Sequence, residues 1–109
     1  MATFAETFDS LKAEMTKLGL SYDEALFEKV TKGLGPALYN SDANKVSCSD
    51  SAELETVRKN FVEKKLGMTD DNHDAIKKVC ETMGSSNRNK YRAIFYYLLV
   101  KELGAESKY

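Results

Sequence analysis

Cysteine and histidine are scarce in this 109-residue sequence, with two of the first and one of the second. Cys48 and Cys80 are too few for a disulfide framework. The opening "MATFAETFDSLK" carries Glu6 and Asp9 among its phenylalanines, unlike a secretory leader. Two free thiols in a reducing cytoplasm are therefore expected. His73 and Cys80 are seven residues apart, about 10 Å along a helix axis, too far to share a zinc ion or to act as base and nucleophile. A glycine-rich phosphate loop is also missing, since "GLGP" lacks the required spacing and lysine. The sequence thus predicts no metal site, no cofactor and no catalytic residue. The longest apolar run, Ala93 to Val100, is far short of the ~20 residues that cross a bilayer, so a soluble protein without membrane association is expected. No excess of one charge exists either: 16 Lys and Arg face 17 Asp and Glu, for a net charge of -1 and a pI near 5.9. Attraction to nucleic acid or anionic lipid would have to come from a local patch. Repeats and low-complexity tracts are absent as well.

What the chain does have is helical rhythm. Its hydrophobic content of 42% suffices for one core, and no stretch alternates with a period of two. Phe4, Phe8, Leu11, Met15 and Leu18 recur at steps of four and three, which predicts a first helix over about 3–18. Ser21 with Glu24 reads as a capping box opening a second over 22–32, closed by Gly33 as a left-handed residue. Pro36 suits the start of a single turn at 36–39, and the polar stretch from Asn40 to Ser49 is the longest irregular connection. Asp50 with Glu53 caps a third helix over 50–66, whose buried face is Leu54, Val57 and Phe61 with Val62 alongside. A fourth runs over 70–83 with Ile76, Val79, Cys80 and Met83 inward, and a fifth over 88–103 ends at Gly104. The expected fold is all-α, one domain of five helices over residues 1–109.

Two stretches invite a functional reading. Asp70, Asn72, Asp74 and Glu81 fall at positions 1, 3, 5 and 12 of a calcium loop, but the turn position that needs glycine is Ala75. A charged helix N-terminus accounts for these acids instead. The other is "GSSNRNKYRAIFYYLLV", residues 84–100. Between Glu81 and Glu102 there is no acid, while Arg88, Lys90 and Arg92 gather where a helix dipole is already positive. With Ser86 and Asn87 at the cap they form a candidate anion pocket, and Tyr39 in the "GPALYN" loop is a further candidate contact. The simpler alternative has these arginines snorkelling from a central helix to pair with internal acids.

"KGLGPALYNSDANKVSCSDSAELETVRKNFVEKKLG" and "SSNRNKYRAIFYYLLVKELG" resemble a family of small bacterial proteins described as a domain of unknown function. The resemblance runs from about Lys32 to the C-terminus. It implies a helical, bacterial, cytoplasmic protein and supplies no activity, cofactor or catalytic residue.

The leading expectation is a non-enzymatic interaction module, monomeric or weakly dimeric, that presents the basic helix start and the "GPALYN" loop to a partner protein or an anionic ligand. The alternatives are a nucleic-acid binder, with Asn87, Arg88, Asn89 and Arg92 opening the second helix of a helix-turn-helix, or an enzyme whose residues converge only in space.

Overall fold

Steps of four and three along the first helix do what the spacing predicts. In the computed structural model, which describes residues 3–35, 45–46, 48, 50–67, 73–84 and 91–108, α1 spans Phe4–Lys17 and buries Phe8, Leu11 and Met15. Thr3 caps it, its hydroxyl accepting from the Glu6 amide. α2 spans Glu24–Lys32 and buries Leu26, Phe27, Val30 and Thr31.

The start of α2 corrects the expected capping box. Its N-cap is Asp23, whose Oδ1 accepts from the amides of Ala25 and Leu26, so Glu24 is the first helical residue and not the third. The Asp23 amide, which a capping-box glutamate would satisfy, donates instead to the Tyr97 hydroxyl at 2.7 Å. A tertiary contact takes over a local one. The end of α2 departs from expectation too: Gly33 has a right-handed φ of -66°, and the left-handed residue is Gly35 at φ 58°.

α3 spans Ser51–Val57 and continues as a π-helical stretch over Arg58–Glu63. The wider turn brings residues five apart onto one face, so Val57 and Val62 both reach zero exposure with Phe61 beside them. α4 spans His73–Met83 and buries Ile76, Val79 and Met83. α5 spans Arg92–Leu103 and ends at Gly104, whose φ of 63° lets the Ala105 amide turn back to the Val100 carbonyl at 2.9 Å. A short 3-10 turn, Glu106–Lys108, follows.

The fold is all-α, with five α-helices and no strand among the described residues. α5 is its axis. Ala93, Ile94, Phe95, Tyr97, Leu99 and Val100 are buried around most of its circumference, and it packs against α1, α2 and α4. A line of rings runs through the core from α1 to α5: Phe8 to Phe27 at 5.4 Å, then Phe27 to Tyr97 at 5.3 Å. Across α5, Phe61 stacks on Tyr96 with centroids 3.9 Å apart, which ties α3 and its continuation to the axis. The radius of gyration, 12.9 Å, is that of one compact domain of this length. No helix is long and apolar enough to cross a membrane among the described residues.

Candidate functional site

The segment before α3 lies against the start of α5. Lys45 forms an isolated antiparallel bridge with Tyr91, and its ammonium lies 5.7 Å from the centre of the Tyr91 ring. Val46 is buried at 4% exposure. Three residues beyond Lys45, Cys48 is bonded to Cys80 of α4 across a Cα separation of 6.0 Å. The expected free thiols are thus corrected. The reason is tertiary: the cysteines are 32 positions apart, and the bridge at Lys45 and the burial of Val46 help carry Cys48 to the flank of α4.

The bridge also moves the start of α5. Tyr91 is its N-cap, with extended φ of -60° and ψ of 134°, so the helix begins at Arg92 and not at Arg88. Arg92 is therefore the first residue of α5. Its guanidinium donates to Glu53 Oε1 at 2.6 Å, to the Lys45 carbonyl at 3.3 Å and to the Tyr96 hydroxyl at 3.0 Å. The Arg92 and Glu53 side chains are 15% and 28% exposed. Burial pushes the guanidinium down, but Tyr96 and Glu53 outweigh it and leave Arg92 above the usual arginine value. It stays charged throughout the ordinary pH range.

Glu53 explains how a cation is tolerated there. It sits in the first turn of α3, where a negative charge complements the helix dipole, and Asp50 caps that helix by accepting from the amides of Ala52 and Glu53. Its carboxylate reaches across to the first residue of α5, so one acid serves two helix N-termini. The anion that the basic start of α5 calls for is, at Arg92, internal. Sequence reasoning saw Glu53 only as half of a local capping box. Nothing local signals its pairing with a residue 39 positions away.

Of the candidate binding residues, Arg92 is the one whose place is described. Tyr39, Ser86, Asn87, Arg88 and Lys90 lie outside the described residues, as do the turn at 36–39 and Asp70 and Asn72 of the calcium pattern. From Asp74 through Glu81 that pattern is continuous helix. α4 is closed by Gly84, whose amide donates to the carbonyls of Cys80 and Glu81, and Tyr91 is paired with Lys45.

Two observations on α5 bear on the helix-turn-helix alternative. Tyr91 is extended and α5 begins at Arg92, and α5 is buried on most sides, whereas a recognition helix presents an exposed face to the groove.

A model of the family described as "Protein of unknown function (DUF2853)" matches residues 10–107. No curated protein matches the chain.

Proposed function

We propose that this protein, which belongs to the DUF2853 family, is a small non-enzymatic binding module, cytoplasmic, whose ligand-facing segment is the basic connector between α4 and α5. The observation that carries the reading is the anchoring of both ends of that connector. Gly84 is hydrogen-bonded to the last turn of α4, and Tyr91 is paired with Lys45 and followed by the Arg92–Glu53 contact. Ser86, Asn87, Arg88 and Lys90 fall between these anchors, in a stretch of sequence without an acid from Thr82 to Lys101. Tethering a short segment at both ends lowers the ordering cost of binding. Its ligand is an anionic group, on a partner protein or a small molecule, with Tyr39 as a further contact. Arg92 acts in this reading as the stem that positions the connector and not as a ligand contact.

Three interior polar groups among the described residues have structural partners and serve the scaffold. The buried Thr31 hydroxyl donates to the Phe27 carbonyl at 2.7 Å, the Tyr97 hydroxyl accepts from Asp23, and Arg92 holds Glu53. The test is retention on an immobilised phosphate matrix at low salt. Wild type should be retained, and the double variant Arg88→Ala, Lys90→Ala should elute early while melting as wild type does. Arg92→Met should melt earlier and retain most of its binding. Wild type that passes unretained would overturn the reading, and steeply salt-dependent binding of duplex DNA would replace it with a nucleic-acid function.

A further inference from the structure

We propose that the Cys48–Cys80 bond is a reversible thiol–disulfide clamp, opened and closed in the folded protein, that controls whether the segment running from Lys45 into α3 stays docked on α4. This inference is independent of the ligand reading above.

Four observations carry it. Both cysteines are half-buried, so the bond lies at the edge of the core and not within it. The core itself forms one continuous cluster drawn from all five helices, and the cysteines only pack against its margin, so the fold does not depend on the bond for its interior. The segment has its own attachments in the Lys45–Tyr91 bridge, the Arg92 hydrogen bond to the Lys45 carbonyl and buried Val46. With the bond open, these keep Cys48 close to Cys80 and make reclosure intramolecular. Finally, the chain has no third cysteine, so reclosure within one molecule has a single product.

The chemistry is exchange with a dithiol. A thiolate of the reductant attacks one sulfur of the pair, forms a mixed disulfide and expels the other cysteine as a thiolate, which takes up a proton. The second thiolate of the reductant then attacks the mixed bond, closing its own ring and releasing the remaining cysteine. Two electrons and two protons pass to the protein, and the dithiol leaves as a cyclic disulfide. Opening removes the anchor at Cys48 and leaves those at Lys45 and Val46, so the chain from Cys48 to Asp50 gains freedom while the helices keep their packing. In a reducing cytoplasm the open form is the resting one, and an oxidising disulfide closes it.

The experiment uses the full chain and dithiothreitol as the dithiol, without denaturant. Alkylation and mass spectrometry count thiols, and amide hydrogen exchange is followed for the oxidised form, the reduced form and Cys48→Ser. The expected result is complete native reduction to two thiols, retained helical circular dichroism and a cooperative melt. Exchange in peptides covering 48–50 should be at least tenfold faster, that in α1 and α2 unchanged, and oxidised glutathione should restore the intramolecular bond in a monomer. Reduction that proceeds only in denaturant would overturn the proposal, as would loss of helicity in the reduced wild type. Unchanged exchange over 48–50 would overturn it too. Cys48→Ser guards against incomplete reduction and should reproduce the exchange pattern of the reduced form.

Discussion

Replacing Arg92 by methionine removes the guanidinium and keeps most of its unbranched stem, so the loss reads mainly on charge and hydrogen bonding. Three described contacts disappear: those to Glu53, to the Lys45 carbonyl and to the Tyr96 hydroxyl. Breaking a fully buried pair from one side costs roughly 3–5 kcal/mol, because the partner is left charged and unpaired. Here the two side chains keep 15% and 28% exposure, so water recovers part of that loss. We expect about 2–3 kcal/mol, a fall in Tm on the order of 10 °C for a domain of this size. Glu53→Gln should cost less, about 1–2 kcal/mol, since the amide oxygen can still accept from Arg92. The pair is isolated by a double-mutant cycle from urea unfolding followed by circular dichroism. A coupling of about 1–2 kcal/mol is expected between Arg92→Met and Glu53→Gln. Coupling within about 0.5 kcal/mol of zero would refute the argument that Glu53 neutralises the start of α5.

Leu11→Ala should destabilise by about 2–5 kcal/mol, because Leu11 is 5% exposed in the docked face of α1; an unchanged melt would mean that α1 is not part of the core. Tyr97→Phe leaves the ring and removes the acceptor of the Asp23 amide, for a loss of about 1–2 kcal/mol in urea unfolding. Fluorescence of the remaining tyrosines should show no change of fold in that variant. Opening the disulfide, whose cysteines are 32 positions apart, should lower stability by about 3–4 kcal/mol on the loop-closure account, and equal urea midpoints for oxidised and reduced protein would contradict it.

Fold class was legible in the sequence because it is written in local spacing. Phe8, Leu11 and Met15 of α1, or Ile76, Val79 and Met83 of α4, each lie within one or two turns of one another, and a periodic pattern reports them directly. The candidate site was legible only in part. Crowding of cations near the start of α5 was visible, together with the alternative that they pair internally, and Arg92 takes that alternative with Glu53. Its partner was not visible, nor was the disulfide, nor the exchange of a capping-box glutamate for the Tyr97 hydroxyl. These contacts join residues 39, 32 and 74 positions apart, and each forms only once helix packing has brought its elements together. The misplaced start of α5 has the same origin: Asn87 to Lys90 read as helix-compatible, but the bridge to Lys45 holds Tyr91 extended.

The connector before α5 is proposed to meet the ligand, with Arg92 in the scaffold. Titrating isotope-labelled protein with inorganic pyrophosphate at low salt, and following backbone amides together with the Arg92 Nε–H resonance, tests both halves at once. Saturable shifts should be confined to amides from Gly84 to Tyr91, with the Arg92 side-chain resonance held in place by Glu53. Absence of saturable shifts in that segment, or an Arg92 resonance that moves as its contact with Glu53 is exchanged for pyrophosphate, would contradict it.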